Sequence, residues 1–239
     1  MQSFCKGVKG VEDETAKLFN WRDLFFISLG IILIYALLGW LTLWASGWIA
    51  NKQVLLYANG FATQFAFLLL IISLGKWRGW TRERLGWRKI EMGRAWGSLV
   101  RWYLLTWPIN LIYSLIVYFY GITPPTTDVY TQLMGHVTPL TFLLNLLLAG
   151  VMAPVIEETL FRGIVFTGLK SYFGKWTAAV LSALLFSGLH LQLIGFFPRF
   201  VLGIILVHLY DKYQSLYPSM AFHALNNLVA AILMAAVTR

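Results

Sequence analysis

Seven apolar segments run through this sequence of 239 residues, and their length restricts how the chain can fold. They cover about residues 24–48, 54–75, 96–120, 138–168, 177–196, 199–210 and 215–237. A stretch of about 18 or more apolar residues can cross a bilayer as a helix. In the membrane interior every backbone polar group must be bonded within the protein, and a helix achieves this without a partner. The sequence therefore predicts an all-α, polytopic transmembrane bundle with about seven membrane segments.

The composition also favours a membrane protein and argues against a nucleic-acid partner. Hydrophobic residues make up 59% of the chain and charged residues 12%, about half the charged share of soluble domains. We therefore expect one transmembrane domain over residues 1–239 and no soluble domain of useful size. The formal charge of +9 would favour nucleic acid in a soluble protein, but the excess of Lys and Arg in cytoplasmic loops explains it here. The expected partner is the lipid bilayer.

Basic residues between the second and third segments orient the bundle. The stretch 76–94 contains Lys76, Arg78, Arg82, Arg84, Arg88, Lys89 and Arg94. Because cytoplasmic loops are rich in Lys and Arg, we expect this stretch in the cytoplasm, together with the N-terminal arm 1–23. Alternation places three later lysines on the same side, namely Lys170, Lys175 and Lys212. The loop 121–137, which has no Lys or Arg, is then outside. The sequence predicts a multi-pass protein of the cytoplasmic membrane with a cytoplasmic N-terminus.

Six of the polar or ionisable side chains inside the later apolar segments form the candidate site. They are Glu157, Glu158, Arg162, His190, His223 and Asn227. Such groups are costly at membrane depth and rarely face lipid, so by default they mark a functional site. At about 1.5 Å per helical residue, Glu157, His190 and His223 each lie roughly 16–22 Å from the cytoplasmic end of their own segment. We therefore expect one buried polar site near mid-membrane, of a kind that could catalyse hydrolysis.

The spacing within two of the segments indicates a division of roles. Glu158 and Arg162 are an i, i+4 pair on one helix face and can form an ion pair. Glu157 points about 100° away and lacks that partner, which makes it the candidate general base. His223 and Asn227 are also spaced i, i+4, and could bind a metal-bound water or donate hydrogen bonds to an oxyanion. The alternative is that both glutamates only anchor helix packing.

The same polar residues are compatible with a metal site and with a metal-free site. The set Glu157, His190 and His223 has the composition of catalytic zinc sites with two histidines and one carboxylate. The same residues also allow a metal-free reaction in which the glutamate activates water. His190, in the run FSGLH, could instead be a core histidine with a satisfied hydrogen bond.

Three motifs resemble those of a known family. EETLFR at 157–162, FSGLH at 186–190 and HALNN at 223–227 are similar to the EExxxR, FxxxH and HxxxN motifs of the CPBP family. This family comprises CAAX proteases and bacteriocin-processing enzymes, and its members are also called Abi proteins. The resemblance covers about the last 100 residues, and the first three segments match no motif.

The resemblance implies an all-helical membrane protease. Type II CAAX prenyl endopeptidases of this family remove a C-terminal tripeptide from prenylated proteins. By resemblance, Glu157 and His190 activate the attacking water, and His223 with Asn227 supports the oxyanion or a metal. Glu158 and Arg162 hold the site together. Because the family is usually described as metalloproteases, the resemblance favours zinc, with Glu157, His190 and His223 as ligands.

We therefore interpret the chain as an intramembrane endopeptidase that acts on a membrane-associated or lipidated peptide or protein. The expected organisation is a cytoplasmic arm over 1–23, N-terminal helices over 24–137 and catalytic core helices over 138–239. The alternative is a membrane scaffold or immunity-type protein that binds a peptide partner without cleaving it. A transporter is disfavoured because the sequence shows no internal repeat.

The orientation can be tested by labelling single cysteines in a Cys5→Ser background. We expect a thiol at Glu83→Cys to react with an impermeant reagent only from the cytoplasmic side. A thiol at Asp128→Cys should react only from outside, because its loop has no Lys or Arg to hold it in the cytoplasm. Labelling of position 128 from the cytoplasmic side alone would overturn both the orientation and the comparison of depths.

Overall fold

Helices joined by short turns and loops make up the described part of the chain. The structure is a computed structural model, and it describes residues 19–122 and 138–237, in which no strand occurs. The all-α prediction is therefore confirmed. Most of the predicted N-terminal arm and most of the predicted outer loop, residues 1–18 and 123–137, lie outside the described residues.

Seven helices follow one another in these residues. They are α1 (Trp21–Ala45), α2 (Lys52–Arg78), α3 (Gly93–Phe119), α4 (residues 139–173), α5 (residues 175–188), α6 (Phe196–Tyr213) and α7 (Leu216–Val237). Helices α4 and α5 belong to one helical run, Pro139–Gly188, which is broken where Gly174 adopts φ 73° and ψ 172°. A positive φ of this size favours glycine, because a Cβ would clash with the backbone.

Five helical runs in the described residues are long and apolar enough to cross a membrane. They are Trp21–Ala45, Lys52–Arg78, Gly93–Phe119, Pro139–Gly188 and Leu216–Leu233. The chain is therefore a multi-pass bundle. The predicted fifth segment, 177–196, is wrong at its end. Helix α5 stops at Gly188, and positive φ angles at Leu191 and Gly195 turn the chain before α6.

The turn at Gly174 folds α5 back onto α4 and places α6 against both. Ser182 of α5 donates a hydrogen bond to the carbonyl oxygen of Phe161 in α4, at 3.2 Å. On its other side α5 meets α6 through small residues. A Cβ added to Gly203 would lie 2.9 Å from the Cβ of Ala183. This close approach lets a backbone carbonyl of α6 reach the interior of the bundle.

Helix α4 changes its winding on both sides of the two glutamates. The segments Leu146–Met152 and Thr159–Phe166 are π-helical, and the α-helical turn Ala153–Glu158 lies between them. Pro154 is at the start of that α-helical turn. The helix continues through the proline instead of breaking, because a π-helical turn tolerates the missing N–H.

Ion pairs gather at the bundle end that the sequence predicts to be cytoplasmic. Asp23 at the start of α1 pairs with Arg78 at the end of α2, at 2.6 Å. Asp211 near the end of α6 pairs with Lys170 at 2.9 Å and with Lys175 at 2.7 Å, on either side of the turn between α4 and α5. The distribution of Lys and Arg in the sequence predicts all of these helix termini on the cytoplasmic side.

The segment between α2 and α3 packs against the turn between α6 and α7. Its Gly86 carbonyl accepts a hydrogen bond from the backbone N–H of Leu216 at 2.8 Å, and its Arg88 carbonyl accepts one from the Ser215 hydroxyl at 2.6 Å. Leu85 of the same segment is buried in the core. The basic stretch is therefore a packed part of the bundle at the same end as the lysines, which is compatible with the predicted orientation.

The Asp211 ion pairs predict a pH-dependent contribution to stability. Burial would raise the pKa of the Asp211 carboxyl, but hydrogen bonds from Lys175 and Lys170 outweigh it and hold that pKa below its ordinary value of 3.8. Asp211→Asn should lower the free energy of unfolding at pH 7 by on the order of 1–2 kcal/mol, between the values for exposed and buried pairs. Because the pKa of Asp211 is lower in the folded protein than in the unfolded chain, its carboxylate stabilises the fold above pH 3.8. The difference in stability between wild type and Asp211→Asn should vanish as the pH falls through the folded-state pKa.

Thermal unfolding in detergent at neutral and at acidic pH measures this difference. Glu91→Gln is the matched control, since the Glu91 side chain is 84% exposed and 4.0 Å from its partner Arg94. The control should unfold like wild type at both pH values. An Asp211→Asn protein as stable as wild type at pH 7 would show that the ion pairs of Asp211 do not stabilise the fold.

Candidate active site

A completely buried ion pair lies at the centre of the site. Arg162 Nη1 donates to Glu158 Oε1 at 3.0 Å, and both side chains are 0% exposed. Arg162 Nη2 donates to the Gly203 carbonyl oxygen at 3.2 Å, which ties α4 to α6. The guanidinium carbon also lies 4.6 Å from the ring centre of Phe186 in α5. The cation is therefore held by a carboxylate, a carbonyl and an aromatic face, as a buried charge requires.

His223 of α7 contacts the same carboxylate oxygen. Its Nδ1 is 2.9 Å from Glu158 Oε1, and the residue is 3% exposed. An ionised carboxylate can only accept, so Nδ1 carries the proton in this contact and neutral His223 keeps Nε2 as an acceptor. Sequence analysis paired Glu158 only with Arg162, and missed that Glu158 also orients His223.

Glu157 faces the other nitrogen of the same imidazole. Glu157 Oε2 is 4.0 Å from His223 Nε2, and the Glu157 side chain is 15% exposed. This distance is too long for a hydrogen bond, but one water could donate to both atoms, with two bonds of about 2.8 Å. The adjacent glutamates therefore have different surroundings, and only Glu157 is accessible.

His190 lies at the edge of this cluster. It follows the end of α5, in an exposed turn rather than inside a helix. Its Nδ1 is 2.8 Å from the Phe186 carbonyl oxygen, which can only accept, so neutral His190 has Nε2 available as an acceptor. The ring of Phe186 contacts His190 at 5.2 Å and His223 at 5.7 Å between ring centres, so one phenylalanine lies beside both histidines.

Asn227 bonds to the backbone of α4 and not to the side chains of the other five predicted residues. Its Nδ2 donates to the Ala149 carbonyl oxygen at 2.8 Å. The π-helical turn explains why that oxygen is available. In an α-helix the Ala153 N–H would donate to the Ala149 carbonyl, but here it donates to the carbonyl oxygen of Leu148. The next residue, Pro154, has no N–H to replace it. Asn227 therefore supplies a donor that the helix itself cannot.

The geometry does not assemble the expected zinc ligands. In the described part of the chain, no group of three or more His, Cys, Asp or Glu side chains is placed to hold a metal ion. Glu157 and His223 face each other at 4.0 Å, and no third such side chain among the described residues joins them in a metal-binding group. Zinc bound by Glu157, His190 and His223 stays a prediction from the sequence.

One residue of the N-terminal helices also contacts Glu157, and the sequence-based prediction did not include it. Gln64 of α2 donates from Nε2 to Glu157 Oε1 at 3.2 Å. An amide inside the apolar run FATQFAFLLL was a usable signal, because polar side chains within a span seldom lack a partner.

Comparison with known proteins finds a match to the helices that carry the site. Residues 139–229 match the family model described as type II CAAX prenyl endopeptidase Rce1-like. No curated protein and no solved structure matches the chain. The matched residues begin at the start of α4, end within α7 and include all six predicted site residues. The segment that carries the site is therefore similar to the type II CAAX prenyl endopeptidases over residues 139–229.

Proposed function

We propose that this protein is an intramembrane endopeptidase in which Glu157 activates a water for attack on a peptide bond. The observation that carries this proposal is the pair formed by Glu157 and His223. Their side chains face each other at 4.0 Å in a partly accessible position, directly beside a completely buried ion pair. A carboxylate and an imidazole at this separation suit a water molecule between them, which is the arrangement that hydrolysis needs.

The reaction begins with that water bonded to Glu157 Oε2 and His223 Nε2. Its oxygen attacks the carbonyl carbon of the scissile bond while one of its protons passes to Glu157. When the carbon–nitrogen bond breaks, Glu157 returns the proton to the departing nitrogen. The products are a carboxylic acid and an amine, and Glu157 is again ionised.

The neighbouring residues orient these two groups. Glu158 accepts from His223 Nδ1, which keeps Nε2 directed at Glu157, and Arg162 holds Glu158 in place. This support resembles the way outer carboxylates orient catalytic histidines elsewhere. Since these contacts exist before substrate binds, the site needs little reorganisation in the transition state.

His190 and Asn227 have further roles in this proposal. The accessible Nε2 of His190 is an alternative to His223 as acceptor of the second water proton, at the exposed edge of the site. Asn227 uses one amide N–H for Ala149, and its second N–H can donate to the oxyanion. Both assignments follow the roles that the resemblance implies for these positions.

The proposed substrate is a membrane-associated or lipidated peptide or protein segment that reaches the bundle from the membrane or the cytoplasm. The family match includes enzymes described as CAAX prenyl endopeptidases, which supports a substrate with a lipid near its C-terminus. The proposed location is the cytoplasmic membrane, with the N-terminus and the basic end of the bundle in the cytoplasm.

Glu157→Gln tests the catalytic assignment. It should lower cleavage by at least about 10²-fold, because the general base is lost, while the protein still folds and inserts. The measurement compares new protein termini in membranes that carry wild type, Glu157→Gln or the exposed control Glu91→Gln. New termini should appear with wild type and the control only. Identical termini with wild type and Glu157→Gln would refute the assignment of Glu157 as the general base. A scaffold that does not cleave its partner would tolerate this substitution.

Arg162→Ala tests the structural half of the site. It leaves Glu158 as a buried carboxylate without its arginine, which should cost about 3–5 kcal/mol of stability and lower the protein yield. The double variant Glu158→Gln/Arg162→Met should recover part of the loss, since no unpaired charge remains. Thermal unfolding of the purified proteins in detergent measures both. An Arg162→Ala protein with wild-type stability would show that the buried pair is not needed for folding.

A further inference from the structure

Gln64 lies outside the segment that matches the protease family, yet it contacts the proposed general base. It belongs to α2, is 8% exposed, and reaches Glu157 across 93 positions of sequence. Its Nε2 must be the atom that faces Glu157 Oε1, because only the amide nitrogen can donate to a carboxylate. The contact therefore links an N-terminal helix to the reacting side chain.

The opposite end of the same amide has no hydrogen-bond partner among the described residues. Gln64 Oε1 is buried without a hydrogen bond from any described residue. A buried carbonyl oxygen without a donor is unfavourable, so an apolar side chain would serve packing better at this position. The amide is therefore better explained by what its nitrogen does at Glu157 than by packing.

The two oxygens of Glu157 have separate neighbours. Oε1 accepts from Gln64, and Oε2 faces His223 Nε2 at 4.0 Å. The terminal torsion of a glutamate side chain is broad, so a carboxylate held at one point can rotate. A hydrogen bond on Oε1 restricts that rotation and keeps Oε2 directed at the position of the water.

We propose that Gln64 is a positioning residue for Glu157, so that α2 contributes to the reaction as well as to the bundle. This inference rests on the proposed function, because it assigns Gln64 a role in the same hydrolysis. Loss of the amide should affect the chemical step more than substrate binding, since the amide orients the base and not the substrate.

The kinetic test uses Gln64→Met, which keeps the length of the side chain and removes both hydrogen-bonding atoms. The probe is an internally quenched, farnesylated peptide with a CAAX C-terminus. We expect kcat to fall roughly 10–100-fold, as for lost outer partners of catalytic ligands, with KM within about twofold of wild type. Thr63→Val is the control, because Thr63 is buried beside Gln64 but donates only to Asn59. It should keep wild-type kcat.

Gln64→Glu distinguishes positioning from packing. The new carboxyl group can donate to Glu157 only while the two groups share a proton, and two ionised carboxylates at this distance repel each other. Its activity should therefore be highest at low pH and fall as the pH rises, unlike that of wild type. A pH profile parallel to wild type would overturn the proposal. If Gln64→Met does not fold, the pH profile of Gln64→Glu still tests whether Gln64 positions Glu157.

A thermal double-variant cycle with Gln64→Met and Glu157→Gln measures the contact independently of activity. Their effects on stability should be non-additive, because the residues share one hydrogen bond. Wild-type kcat in Gln64→Met would overturn the proposal even if the cycle shows coupling. If wild type itself does not cleave any peptide, the proposed function fails and the catalytic role of Gln64 fails with it. Non-additive effects in the cycle would then show only that Gln64 and Glu157 are in contact.

Discussion

The site depends on one carboxylate oxygen that is completely removed from solvent. Glu158 Oε1 accepts from Arg162 within α4 and from His223 in α7, and Arg162 also donates to Gly203 in α6. A charge buried in this way is tolerated only while its partners stay in place. The three helices are therefore held in one arrangement by the requirement to compensate Glu158, and the same arrangement directs His223 at Glu157.

Two adjacent glutamates thus acquire different properties from their surroundings. Glu158 points into the core and is 0% exposed, while the Glu157 side chain is turned by about 100° and is 15% exposed. Neighbouring carboxyl groups in different environments commonly divide the work of a hydrolytic site. In the proposed function, Glu158 orients and Glu157 reacts. The change of winding in α4 adds to this, because Pro154 and the π-helical turn leave the Ala149 carbonyl to Asn227.

The N-terminal helices are more than a support for the family segment. They share a core with it, and Gln64 brings an amide into contact with Glu157. A segment without a recognisable motif can therefore take part in a site that motifs define elsewhere in the chain. This fits a membrane bundle, in which a polar side chain on any helix must find its partner inside the protein.

The sequence by itself determined what depends on local periodicity. Apolar length placed the helices, except at the end of α5, where the turn residues after Gly188 overrode hydrophobicity. The Glu158–Arg162 contact was also predictable, because residues four apart on a helix share a face. Tertiary structure alone decided the contacts of Glu158 with His223, of Asn227 with Ala149 and of Gln64 with Glu157, across 65, 78 and 93 positions. Those pairings depend on how the helices rotate and pack against one another, which periodicity within a single helix does not specify.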